Sequence, residues 1–422
     1  MIKGPETKKW SLKNGAQCVY ASLPEAPLTC IDLWCKAGSA CEREGEEGIA
    51  HFLEHMIFKG STKLKEGEFD LKIEALGGSS NAATGLDDVH YYVLVPPKGV
   101  KTAIDLLTNI VLTPSLESFQ YSLEKEVVLE EIAQHKDQPD EQIMQYLLEN
   151  CWPNHSYGRS ILGLEDSLKK SQPDTMRDFH KRQYNSQNLA LSIVGYIPKD
   201  IQEIINKSDL TTSKASIKDK SSQENYSKPY FKSGRKEIEV SRLESARITM
   251  AWALPPAKYQ KFLMGADITT SILSEGRRSR LVHHLREKLQ IVESIDMGIS
   301  ILEQGSLFLL EACCLEQDLR KVEDQINLIL ADCIENAPFP KEVNRAKQLV
   351  RNSICFGLEL PSQIAGITAS QVLWDRNQSL LEPLKLIDCW ESSDLQKSLF
   401  SQLKPEKSFT LIAKPKKATG KQ

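Results

Sequence analysis

The 422-residue sequence has no apolar run approaching the roughly 20 residues that a membrane-spanning helix needs, so no membrane span is expected. It has no surplus of basic charge: net charge is −4 and the pI about 6.1, which argues against a general grip on nucleic acid. Its first ten residues carry no apolar core of a secretory signal, and a cytoplasmic location is expected. None of its ten cysteines forms a Cys-x-x-Cys pair, and a disulfide framework is improbable in so long a chain without such a signal. Reduced, mostly buried thiols are expected instead. What remains is ordinary globular composition, 41% hydrophobic and 26% charged, which excludes wholesale disorder, collagen and a disulfide miniprotein. At roughly 100–200 residues per domain the length suits two or three domains.

The least patterned stretch, 211–234, is rich in Ser and Lys and reads as a linker near the middle of the chain. The two sides end alike. Residues 188–199 and 407–416 are each a short apolar, β-branched run closed by Pro-Lys, and each reads as a strand. Residues 30–35 and 247–253 resemble one another near the two beginnings. A duplicated α+β unit of about 200 residues is expected, with domains at 1–210 and 235–422. Periodicity places strands near 16–21, 29–36, 88–95, 189–195, 247–253, 294–301, 306–314 and 408–413. It places helices near 46–57, 67–76, 99–112, 117–135, 139–150, 174–184, 258–273, 277–288, 318–335, 340–356 and 361–374. Strands separated by helices predict largely antiparallel or mixed sheets with helices packed on them. Charge is uneven: residues 1–210 carry net −9 and the remainder +5, with acid densest over Glu117–Glu149. An acidic surface favours cationic ligands or a basic partner surface.

The most informative residues are His51, Glu54 and His55, in a stretch whose Ile49, Phe52, Leu53, Met56 and Ile57 supply an apolar helical face. Histidines four apart lie on one face of a helix, one turn apart, so both can bind a single Zn²⁺. Glu54 borders that face and is placed to touch a water on the metal. The pattern is His-x-x-Glu-His, the reversal of His-Glu-x-x-His, and both are zinc peptidase signatures. Catalytic zinc usually has three protein ligands and a water. The third is sought on the helix predicted at 117–135, where Glu124 and Glu131, two turns apart, share a face and Val127, Val128 and Ile132 would anchor it to a core. By spacing, Glu124, Glu131 and His135 all remain candidates.

The run from His51 to Gly60 resembles the motif of the pitrilysin/insulinase family of inverted zinc metallopeptidases, in its half-length, processing-peptidase-like form. The resemblance implies two homologous αβ half-units, the first catalytic. It implies Glu131, 76 residues beyond His55, as third ligand and Glu124 as an assisting carboxylate, and it demotes His135. Residues 34–39 resemble the family strand leading to the site. Gly77–Thr84 resembles a Gly-Gly-x-x-Asn-Ala-x-Thr segment in which Asn81 and Ala82 would hold substrate by strand addition. His155 falls in a His-Pro-Tyr-Gly-like element, with Ser156 in place of Pro, and reads as structural. The implied reaction is peptide hydrolysis with Zn²⁺ as cofactor and Glu54 as general base, on peptides or unfolded segments. A homodimer, or a heterodimer with a related subunit, would complete the chamber.

One departure stands out. Active relatives supply an Arg and a Tyr, seven apart, from the second domain. Arg286 matches the Arg, but Glu293 occupies the Tyr position, and an ionised carboxylate cannot donate a hydrogen bond to developing charge. A catalytic part for Arg286, or dependence on a partner's second domain, follows as an expectation. His283 and His284 are adjacent, point in different directions on a helix, and read as surface histidines.

Overall fold

A computed structural model describes residues 4–213 and 228–416; positions 214–227 of the expected linker lie outside the described residues. The chain divides into two compact units, the first made of Met1–Ile132, Arg159–Tyr226 and Phe356–Leu380, the second of Ala133–Gly158, Ser227–Cys355 and Leu381–Gln422. Each unit is built on one mixed, mainly antiparallel sheet.

The first sheet contains β1 (Thr7–Ser11), β2 (Gln17–Ser22), β3 (Thr29–Cys35), β4 (Ser79–Thr84), β5 (Val89–Val95) and β6 (Leu189–Gly195), in the order β1-β2-β6-β3-β5-β4. Only the β2–β6 pair is parallel. The second contains β7 (Gly234–Val240), β8 (Ala246–Leu254), β9 (Ser294–Ser300), β10 (Ser306–Cys314) and β11 (Phe409–Pro415), in the order β7-β11-β8-β10-β9. Its one parallel pair is β11–β7. The second order repeats the first without β1, with the parallel pair in the same place, so the faint sequence duplication is a duplication of topology.

Strand β6, covered on both faces, is buried at all seven positions, whereas β5 alternates. On β5, Val89, Tyr91, Val93 and Val95 are fully buried while the residues between them are not. The strands that periodicity misses are β1, β4 and β7, all at sheet edges. β4 reads Ser-Ser-Asn-Ala-Ala-Thr and β7 carries Arg235, Lys236, Glu237 and Glu239. An edge strand has half its surface in water and needs no apolar alternation. Four short helices, Glu165–Lys170, Ile201–Lys207, Glu382–Asp388 and Ser392–Ser398, also lack enough length to show a period. The helix expected at 277–288 runs from Arg280 to Lys288, with Val282–Lys288 in π-helical form.

Two helical segments pack on the sheet of the opposite half. The helix Pro361–Leu373 lies on β6, β3 and β2 of the first unit, where its Thr368 hydroxyl meets that of Ser192 at 2.8 Å. Helix α5 (Pro139–Cys151) lies on β11 and β8 of the second. All ten cysteines are free and eight are buried, as small apolar side chains would be. Among the described residues no helix is long and apolar enough to cross a membrane.

Helix α1 (Ile49–Ile57) begins at Gly48, whose φ of 92° and 2.5 Å clearance between an added Cβ and the Leu162 carbonyl exclude other residues without strain. Helices α2 (Glu68–Ala75) and α3 (Val100–Leu112) follow it in the same unit. Ile49, Phe52, Leu53, Met56 and Ile57 of α1 are all buried. The Phe52 ring lies 4.6 Å from the Tyr121 ring of α4 (Ser118–Asp137), which sets the two helices side by side. On α4 the buried positions are Tyr121, Glu124, Val128 and Ile132. Val127, expected in the core, is half exposed, because one residue of helical rotation carries it off the face that Val128 and Ile132 occupy. Phe52→Ala is expected to cost about 3–5 kcal/mol of stability, measured by urea unfolding of the full chain, because it empties the contact between α1 and α4.

Candidate active site

The first turn of α1 is tied down from outside. The carboxylate of the buried Glu42 accepts the backbone N–H groups of Gly48 at 3.1 Å and Ala50 at 2.9 Å, two donors a helix start leaves unpaired. One turn along, the His51 and His55 rings stand 4.7 Å apart, edge to face. Glu131 of α4 reaches both: its Oε2 is 3.7 Å from His51 Nε2 and 3.5 Å from His55 Nε2. The three donor atoms lie within 4.8 Å of one another, and this is the one such metal-competent trio found among the described residues.

Of the carboxylates and imidazole that spacing offered on α4, each has a different place. Glu124 Oε1 meets His55 Nδ1 at 2.9 Å, and Glu124 Oε2 meets Lys59 Nζ at 2.8 Å. His135 pairs with Glu141 at 3.1 Å. Glu54 accepts the Thr84 hydroxyl of β4 at its Oε2, at 2.5 Å.

The protonation chemistry suits a cation. Burial and the neighbouring His55 push His51 down to about 4, so it is neutral near pH 7, as a nitrogen ligand must be. Burial would raise Glu124, but hydrogen bonds from Lys59 and His55 outweigh it and hold the carboxyl below its ordinary range. Burial raises Glu54 above that range, against the downward pulls of the Thr84 hydroxyl and His55. Two imidazoles and a carboxylate are a fitting donor set for Zn²⁺. Behind the site, Asp32 of β3 meets His90 of β5 at 3.1 Å, and the His90 ring packs on Trp34 at 4.7 Å. Burial would lower His90, but the Asp32 carboxylate outweighs it and raises it.

Deeper in the same unit, His180 stacks on Tyr184 and its Nε2–H donates to the Val111 carbonyl at 2.9 Å. Burial, only partly opposed by that bond, pushes it down to about 4. An unfolded histidine titrates near 6.5. Below that value the unfolded chain binds a proton that the folded one refuses, so stability is present above about pH 6.5 and falls as pH drops towards 4. Urea unfolding at pH 7.5 and pH 5 should show the loss, and His180→Phe should show a smaller pH slope.

Asn81 and Ala82 lie on β4, the last strand of its sheet, so among the described residues their outer backbone edge has no partner strand. Asn81 Oδ1 accepts the Ala82 N–H at 2.9 Å. Arg286 stands in the second unit, where its guanidinium pairs with the adjacent Glu287 at 2.9 Å. Glu293 accepts the Ser245 hydroxyl at 2.8 Å and the Cys313 thiol at 3.0 Å. His284 meets Gln325 at 2.8 Å, and His155 Nδ1 accepts the Tyr157 N–H at 3.1 Å in a tight turn. Sequence spacing did not single out Lys59, Thr84, Asp32, His90 or Glu42. Only Lys59, four residues beyond His55 and just past the end of α1, has a spacing that could have pointed to it.

The sequence signature described as Insulinase (Peptidase family M16) spans residues 17–165, and that described as Peptidase M16 inactive domain spans 171–350. The chain belongs to the insulinase family of peptidases. Within that family it is similar to an uncharacterized zinc protease of Rickettsia bellii, 27% identical over 81% of this chain and 82% of that protein. It is also similar to the mitochondrial-processing peptidase subunit beta of Lentinula edodes, 25% identical over 88% of this chain and 81% of that one. A protease from Helicobacter pylori shares the fold, with a TM-score of 0.89, 24% identity and coverage of 97% and 100% of the two chains.

Proposed function

We propose that this chain is a zinc metalloendopeptidase acting on peptides or unfolded segments. The observation that carries the reading is the approach of one Glu131 oxygen to Nε2 of both His51 and His55, with Glu54 on the same helical turn. His51, His55 and Glu131 would hold the Zn²⁺, which when bound supplies Lewis acidity towards a water and a scissile carbonyl. Glu54 takes the proton of the attacking water and delivers it to the leaving amine. The Thr84 hydroxyl fixes one Glu54 oxygen and leaves the other for that exchange. The unpaired edge of β4 at Asn81 and Ala82 receives the substrate backbone as an added strand, and Glu124 orients His55 through its Nδ1.

A specific observation supports a partner-dependent form of the same activity. Glu293 is held by Ser245 and Cys313, and Arg286 pairs with its own neighbour. The relative from Lentinula edodes is named as a subunit. We therefore include pairing, as a homodimer or with a related chain whose second domain supplies the missing phenol. Ten cysteines without a disulfide fit a reducing compartment such as the cytoplasm.

The deciding experiment measures zinc content and hydrolysis of a quenched basic peptide, for the purified chain alone and with a related chain added. One zinc per chain with hydrolysis in either arm is the expected result. Zinc-free protein, or zinc-loaded protein inert in both arms against a peptide panel, would sink the peptidase reading.

A further inference from the structure

We propose that Lys59 is a positioning residue of the metal centre: its ammonium fixes the Glu124 carboxylate, which in turn aims His55 Nε2 at the place shared with His51 and Glu131. The inference rests on the reading of those three residues as metal donors. Lys59 lies in the turn that closes α1, two residues past its last residue and four beyond His55. Its Nζ takes one oxygen of Glu124 at 2.8 Å while His55 Nδ1 takes the other at 2.9 Å. A carboxylate held at both oxygens cannot swing about its last torsion, so the imidazole it touches is fixed in tautomer and in rotation.

The brace extends further and is one-sided. Glu66 Oε1 stands 4.0 Å from the same ammonium, and Gln120 of α4 donates to Glu66 Oε2 at 2.6 Å. Gln120, Glu66, Lys59 and Glu124 therefore tie the start of α4, the approach to α2 and the end of α1 to one imidazole. His51 has no such support: its Nδ1 is buried with no hydrogen-bond partner among the described residues. The orientation of the imidazole pair thus depends on the His55 side. Glu124, with a side chain only 10% exposed, would also be a costly buried charge without its cation.

The sign of the effect separates this role from simple electrostatics. Removing a positive charge beside a cation site would, by Coulomb's law, tighten cation binding. Loss of an aimed ligand weakens it. Zn²⁺ affinity of the metal-free full chain would be measured by competition with a chromophoric chelator at pH 7.5, with the visible spectrum of the Co²⁺-loaded protein as a second readout. Lys59→Met should weaken Zn²⁺ binding by about 10-fold, the lower end for outer partners of metal ligands, and should shift the Co²⁺ bands. Lys59→Arg, which keeps the charge, should recover most of the loss. In a Glu124→Gln background Lys59→Met should add no further loss, because the two act through one contact. Should Lys59→Met not fold, Lys59→Gln serves in its place.

Equal or tighter Zn²⁺ binding by Lys59→Met overturns the role. So does a loss that persists in full in the Glu124→Gln background, or a drop in melting temperature with unchanged Zn²⁺ affinity and Co²⁺ spectrum. A wild-type chain that binds no Zn²⁺ is a different result, since it removes the donor reading on which the inference stands.

Discussion

Glu54→Gln should leave one zinc per chain in place and lower peptide hydrolysis by about 10²–10⁴-fold, the range general acid–base catalysis contributes. The amide is nearly the same size as the carboxylate, and it can still accept the Thr84 hydroxyl at its oxygen. It cannot take a proton from water. The carboxylate's pKa, raised by burial, brings Glu54 closer to the pH at which a base both stays ionised and binds a proton well. Glu54 is absent from the donor trio, so metal content should not respond to its replacement. Paired measurements of zinc and of kcat on the same preparation decide the matter. Turnover within a few-fold of wild type would remove Glu54 from the proposed base role, and zinc lost together with turnover would place it among the ligands instead.

Glu131→Gln has the largest expected effect on the metal. It leaves two imidazoles where three protein donors are usual for a catalytic zinc. Zinc affinity should fall by more than the roughly 10–100-fold typical of outer-partner changes, and hydrolysis should fall with it. Glu131 is partly exposed and contributes little to the packing of α4, which rests on Tyr121, Val128 and Ile132. The metal-free variant should therefore melt close to the metal-free wild type. Titration with Zn²⁺ and thermal melts of the two stripped proteins give both numbers. Unchanged affinity would mean that the pairing with His51 and His55 is only an ion pair.

The sites were legible in the sequence to different degrees. His51, Glu54 and His55 could be read at once, because a helix turns a spacing of three or four residues into neighbours on one face. Glu131 could not be separated from Glu124 and His135 by spacing alone. Both glutamates face α1, but seven residues of helix carry them about 10 Å apart along the axis, so Glu131 reaches Nε2 of both imidazoles while Glu124 reaches only His55, at Nδ1. His135 lies one further turn along and is taken by Glu141. Strand β4 escaped periodicity because a small, polar edge strand carries no periodic signal; its Asn81–Ala82 edge was legible only through the family resemblance of Gly77–Thr84, and the contact of Thr84 with Glu54 not at all.

By itself the sequence determined the α+β class, the duplication, the apolar face of α1 and the two imidazoles on its next turn, since all of these are local in the chain or repeat along it. Spacing left the carboxylates unseparated and only the family resemblance pointed to Glu131; the tertiary structure brings the Glu131 oxygen near both imidazoles, sets the Thr84 hydroxyl on Glu54 and closes a brace from Lys59 through Glu124. It also decided the exchange of α5 and the helix Pro361–Leu373 between the sheets. Contacts of this kind join residues tens or hundreds of positions apart, and their partners are chosen by how buried faces such as Phe52 against Tyr121 pack, which no local period encodes.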